Sequence, residues 1–155
     1  MEKSTMRMKI KSNRRKNQRG NALMEFAICS FLIMMLTAGV TEFSRSFSAA
    51  DMAASAAEAG AQYGALSPAH WSDYAGMQAA ALNDANNMTG VTATASNTCY
   101  CQLGGIPVTC PASCSSGSPI TYVTVQVTVP FTSILSLPYI PTTPTLTSTN
   151  SVRVQ

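Results

Sequence analysis

Nineteen consecutive residues, 22–40, are apolar or small apart from one charge, Glu25. As a helix that run is about 28 Å long, close to the roughly 30 Å of a hydrocarbon core. It exceeds the usual h-region of a signal peptide, and no Ala-x-Ala site directly follows it. A bilayer span with one carboxylate inside it therefore constrains everything else the chain can do.

The charges on either side set the orientation. Of the ten Lys and Arg, eight lie in residues 1–20, and only Arg45 and Arg153 lie beyond. This asymmetry predicts the N-terminus in and the C-terminus out. Residues 1–18 are polar, basic and without apolar periodicity, and are expected to be a disordered cytoplasmic leader. Residues 21–155 carry two basic against six acidic side chains, a net charge of −4. The overall +3 thus comes from the leader and gives no warrant for nucleic-acid binding. Charged residues are only 11% of the chain and hydrophobic residues 46%, so much of it needs lipid or another subunit as a neighbour. At 155 residues it has room for an anchor and one modest domain.

No Pro interrupts residues 41–66, which are rich in Ala, so the helix is expected to continue out of the membrane. Residues 21–66 would measure about 69 Å if unbroken. Ala49, Ala53, Ala57 and Ala61 recur every four positions, and Gly60 and Gly64 form a GxxxG pair. Such a face lets another helix approach closely. The two glycines argue for packing, since they weaken a helix that gains nothing from them. Ser67-Pro68 reads as a break and a restart, with Ser67 as N-cap and Pro68 at the first helical position. A second helix is expected over 69–87, with Trp71, Tyr74, Met77, Ala80, Ala81 and Leu82 as its buried stripe. His70 reads as a packing or surface residue.

From Thr89 the vocabulary changes to Thr, Val, Ser, Gly and Pro. Residues 91–96 and 122–129 alternate with period two and read as strands. Val123, Val125, Val127 and Val129 face one way, and Pro130 stops the second strand. Residues 131–144 read as a loop with Phe131, Ile134, Leu135, Leu137, Tyr139 and Ile140. The tail 146–155 reads as a closing strand antiparallel to 122–129. The expected fold class is α+β: a long N-terminal transmembrane helix continuing outside, a short second helix, and a small antiparallel sheet with a disulfide-stapled loop. The expected division is a leader 1–20, a helix 21–66 and an extracytoplasmic domain 67–155.

Cys99, Cys101, Cys110 and Cys114 cluster within sixteen residues, apart from Cys29 in the span. An even, closely spaced set on the side away from the basic end suggests disulfides from an oxidising compartment. The spacing does not suit a zinc site, and there is no C-x-x-C. A direct 99–101 bond would be strained. The nested pairing 99–114 with 101–110 suits a hairpin; the crossed pairing 99–110 with 101–114 stays open. With one His, no GxGxxG and no P-loop, no catalytic, metal or cofactor site is expected.

That leaves Glu25. At the centre of a span an Asp costs about 2.5–3.5 kcal/mol on insertion scales, and less near an end. An acid in a span usually faces a partner and marks function. Gly20 precedes Glu25 by five residues, at the junction of basic leader and apolar run, and Phe26 follows it. This junction resembles the cleavage signature of type IV prepilins and pseudopilins. More specifically, residues 19–64 resemble the TadE-like pseudopilins of the Flp, or tight-adherence, pilus system. The residues that carry the resemblance are Arg19-Gly20, Glu25-Phe26, Glu42-Phe43-Ser44-Arg45 and the stretch from Ala56 to Tyr63. The usual form of that stretch has Arg before Glu and Arg before Tyr, where this chain has Ala57 and Gln62.

The resemblance implies cleavage between Gly20 and Asn21 by a membrane aspartic prepilin peptidase. It implies pairing of Glu25, beside Phe26, with the N-terminal amine of a neighbouring subunit. It also implies close helix packing through Ala53, Ala57, Gly60, Ala61 and Gly64. The expected function is that of a minor pilin or pseudopilin in pilus assembly, single-pass in the inner membrane with a periplasmic C-terminal domain. The partners implied are the peptidase, other pilin subunits and the assembly platform. The alternatives are an uncleaved membrane-anchored binding module and a pilus-tip adhesin.

Overall fold

The computed structural model describes residues 2–103, 105–115, 117–134 and 143–155, with side chains from residue 20 onward. The loop residues Leu135, Leu137, Tyr139 and Ile140 lie outside the described residues. The chain forms helix α1 (Glu2–Ala65), a 3-10 turn (Pro68–His70), helix α2 (Tyr74–Asp84) and strands β1 (Thr92–Tyr100), β2 (Pro107–Val108), β3 (Ile120–Pro130) and β4 (Thr145–Arg153). It divides into two compact units, residues 1–43 and 44–155.

In the first unit α1 begins at Glu2, so residues 2–18 are helical and not the disordered segment their composition suggests. Residues 2–19 contain no Pro, and Lys, Arg, Met and Gln are good helix formers. Within the span every large apolar side chain from Leu23 to Val40 is exposed, between 52% at Leu32 and 71% at Phe26. A helix apolar all round with nothing packed on it is built for lipid. Its hydroxyls fold back on the backbone: Ser30 Oγ donates to Ala27 O (3.0 Å), Thr37 Oγ1 to Met34 O (2.9 Å) and Thr41 Oγ1 to Thr37 O (2.8 Å). These bonds satisfy polar atoms where no water would be available. Among the described residues one helix is long and apolar enough to cross a membrane, which fits a single-pass membrane protein.

The second unit is α+β. Its sheet runs β2-β1-β3-β4, antiparallel throughout. Burial alternates along β3, so one of its faces presents Val123, Val125, Val127 and Val129, all fully buried. Burying each valine contributes about 2 kcal/mol relative to exposure. Against them lie Ala53, Ala56, Ala57 and Ala61 of α1 and Met77, Ala81 and Ala85 from α2 and its C-cap. The outer face is hydroxylic, with Thr124 opposite Ser151 (2.9 Å) and Thr128 opposite Thr147 (3.3 Å).

The restart after α1 differs from the expectation. Ser67 precedes only the 3-10 turn, and its hydroxyl lies 2.6 Å from His70 Nδ1 without capping a backbone N–H. The α-helix starts at Tyr74 with Asp73 as its cap, whose Oδ1 accepts from Gly76 N–H at 3.0 Å. Because α2 starts there, Trp71 is off the helix. The buried stripe narrows to Met77 and Ala81, while Tyr74 and Leu82 are 39% and 41% exposed.

The cysteines form Cys99–Cys110 and Cys101–Cys114. This is the crossed pairing, not the nested one that a simple hairpin suits. The register explains it: Cys99 stands opposite Val108 and Tyr100 opposite Pro107. The returning chain therefore brings Cys110 beside Cys99. It has already passed Cys101, which is left to the later Cys114. Closing loops of this size contributes about 3 kcal/mol each in the chain-entropy model.

Candidate assembly site

The two groups of expected functional residues fall in different units. In the first unit the junction is helical, and Gly20, Asn21, Glu25 and Phe26 are all exposed. A Cβ built on Gly20 would meet nothing within 4 Å. Neither a turn nor a close approach demands glycine there, and in a helix it is costly by up to about 1 kcal/mol relative to Ala. Among the described residues nothing gives a reason for Gly20.

Asn21 and Glu25 are four residues apart on one helix and share a face. No ion pair engages Glu25 among the described residues. On this helix its carboxylate stands among large exposed apolar side chains, Leu23, Met24, Phe26 and Ile28. In hydrocarbon an unpaired carboxylate is costly, so the position favours a cationic partner.

In the second unit the small-residue face is fully covered. Ala53, Ala57 and Ala61 are at most 1% exposed. A Cβ on Gly60 would lie 2.8 Å from Met77 O and 3.0 Å from Val125 Cγ1; one on Gly64 would lie 2.7 Å from Val123 Cγ1. The glycines thus serve close approach, as their cost to the helix implies. What approaches is different from the expectation: the chain's own α2 and β3 occupy the face, not the helix of another subunit. The spacing of small residues says that something comes close, and the valines of β3 fill that role as well as a helix would.

The same packing accounts for a departure from the family pattern. Ala57 is fully buried beneath the sheet, where an arginine would be desolvated without a partner. Gln62, at the other departure, stays on the exposed side and donates through Nε2 to Glu58 Oε1 (2.9 Å), one helical turn away. Arg45 stacks on Phe131, its guanidinium carbon 5.4 Å from the ring centre.

One contact lies beyond the sequence reading. Tyr63 Oη donates to Asp73 Oδ2 (2.9 Å), tying the end of α1 to the cap of α2. Bonds from Gly76 N–H and then from Tyr63, with the nearby His70, hold the Asp73 carboxyl below its ordinary 3.8. A Cβ on Gly76 would collide with both Asp73 and the Tyr63 ring. The sequence signal is Asp73-x-x-Gly76, a cap spacing overshadowed by Ser67-Pro68.

A family model described as TadE-like protein matches residues 20–62. It begins at Gly20, spans Glu25 and Arg45, and ends at Gln62, so that it takes in the apolar helix and most of the small-residue face but none of the sheet. No curated protein and no solved structure matches the chain.

Proposed function

We propose that this protein is a minor pilin or pseudopilin of a Flp-type, tight-adherence pilus, cut between Gly20 and Asn21 by a prepilin peptidase. The TadE-like match over residues 20–62 supports a Tad-pilus-associated protein. The observation that carries the finer reading is the exposed helix junction, where Gly20 has no structural reason and Glu25 has no partner among the described residues. A sequence-reading peptidase supplies the first reason. A neighbouring subunit supplies the second.

In this reading the chain sits in the inner membrane with its C-terminal domain in the periplasm, where Cys99–Cys110 and Cys101–Cys114 form. Cleavage removes the basic leader and leaves an ammonium at Asn21, one turn from Glu25. The freed helix N-terminus is electropositive and favours the Glu25 carboxylate. In hydrocarbon the carboxylate and an Asn21 ammonium of the next subunit hold each other only when both are in register. Helix-to-helix contact between subunits then rests on residues 21–40, because α2 and β3 already occupy the face at 53–64.

Mass spectrometry of the protein from cells with an active prepilin peptidase should find a chain beginning at Asn21. A persistent leader would overturn the reading. Glu25→Ala should leave membrane insertion intact and abolish pilus assembly; normal piliation in that variant would remove the pairing role.

A further inference from the structure

The sheet order ends on β4, and no strand lies beside its outer edge among the described residues. That edge runs nine residues, Thr145–Arg153, without proline or glycine and with its one charge at the last position. Long edges of this kind template pairing with another chain, and soluble proteins usually blunt them with charge, proline or a bulge.

Two backbone bonds flanking the β3–β4 ladder fix which groups face outward. Phe131 N–H donates to Pro144 O and Val154 N–H donates to Thr121 O, both at 2.9 Å. In an antiparallel ladder bonded and non-bonded residues alternate. The even-numbered residues of β4 therefore turn their N–H and C=O toward β3. Thr145, Thr147, Thr149, Ser151 and Arg153 turn theirs away, to the open side.

The strand also reads alike in both directions about Thr149. Leu146 mirrors Val152, Thr147 mirrors Ser151, and Ser148 mirrors Asn150. On the core side Leu146, Ser148, Asn150 and Val152 are only half-buried, whereas the valines of β3 beside them are fully buried. The hydrophobic layer is unfinished on that side.

We propose that β4 is a self-association edge that pairs antiparallel with β4 of a second copy of this chain, with the two-fold axis through Thr149. In that register the outward backbone groups of Thr149 meet their own counterparts, and those of Thr147 meet Ser151. Leu146 packs on Val152 across the core face, and Ser148 meets Asn150, each a suitable hydrogen-bond partner for the other. Arg153 lies opposite Thr145, so the two cations sit at opposite ends. This pseudo-palindrome is what selects a second copy over a foreign strand, which would need no such symmetry. The pairing does not depend on cleavage after Gly20 or on Glu25.

The test uses the full chain in detergent or nanodiscs on a Cys29→Ser background. Light scattering should give a dimer. Thr149→Cys should cross-link to itself under mild oxidation, while Thr94→Cys on the outer face of β1 should not. Thr149→Lys sets like charges face to face and should give a monomer at low salt that recovers toward dimer at high salt. Thr149→Pro should be monomeric at any salt with its circular dichroism retained, since the N–H it removes points away from β3. A monomeric parent protein overturns the proposal. So does a dimer that survives Thr149→Pro without cross-linking at 149, which assigns association to the helix. A β4 that pairs only with a strand of a different protein overturns it as well.

Discussion

The two units invert each other's relation between side-chain size and burial. Between Leu23 and Val40 the large apolar side chains on α1 are all exposed; after residue 44 the face that counts is Ala and Gly, and it is buried. One helix thus carries two kinds of apolar surface. Large side chains suit a fluid neighbour that conforms to any shape, and hydrocarbon needs no complementary groove. Small side chains suit a fixed neighbour whose backbone must come near, as Met77 O does at Gly60. Residue size along a helix can therefore report whether its neighbour is liquid or solid.

The strongest way to break this contrast is to place a charge in each region. Val125→Asp buries a carboxylate with no partner and should unfold residues 44–155, with loss of strand signal in circular dichroism but unchanged membrane association. Val40→Asp should do the reverse, weakening insertion while leaving the sheet intact. Collapse of the sheet in Val40→Asp would remove the distinction.

Reduction gives a somewhat smaller effect. Breaking both disulfides should lower the stability of the second unit by several kcal/mol, at about 3 kcal/mol each, measured by chemical denaturation with and without reductant. Cys29→Ser should leave that difference unchanged, because Cys29 is exposed and unbridged in the span.

The same substitution should then have opposite signs in the two units. Gly60→Ala crowds Met77 and Val125 and should cost about 1–3 kcal/mol despite better helix propensity. Gly39→Ala meets nothing within 4 Å and should be neutral or favourable by up to about 1 kcal/mol. Equal effects in thermal melts would show that Gly60 is not a packing glycine.

The smallest expected effect concerns the cap of α2. The Asp73 carboxyl is held below its ordinary 3.8, so its contribution is present above that pH and lost as pH falls through the lowered value. Asp73→Asn should lower the melting temperature at neutral pH, with the gap to the parent protein closing below about pH 4. Tyr63→Phe should act in the same direction.

Much of this molecule is legible in one dimension because its patterns are simple. The period-two valines at 123–129 read as a half-buried strand, and the apolar run before Val40, with Glu25 its one charge, has the length and composition of a membrane-spanning helix. The features that stay hidden depend on partners remote in sequence. Ala53, Ala57 and Gly60 announce a close approach but not by what, since a sheet and a helix can both sit on small residues. Ser67 and Asp73 are both good cap residues, and the choice falls to whichever side chain reaches an N–H three residues on. Asp73 finds that of Gly76, whereas the Ser67 hydroxyl turns to the His70 ring instead. The disulfide pairing follows from the register of β1 and β2, a two-residue strand too short to recognise before it is seen. At the candidate site the sequence singles out Gly20 and Glu25, and the structure adds that neither is engaged by another side chain among the described residues.

The burial of Ala57 also constrains inheritance. The TadE-like match stops at Gln62, yet the C-terminal domain stands on residues that reach back to Ala53 and forward to Gly64. A tail of this kind cannot be exchanged between chains at the end of the helix. Its footprint is written into the helix that precedes it, and an anchor with arginine at position 57 would reject it. Recombination between such chains must cut upstream of Ala49 or bring matching substitutions along.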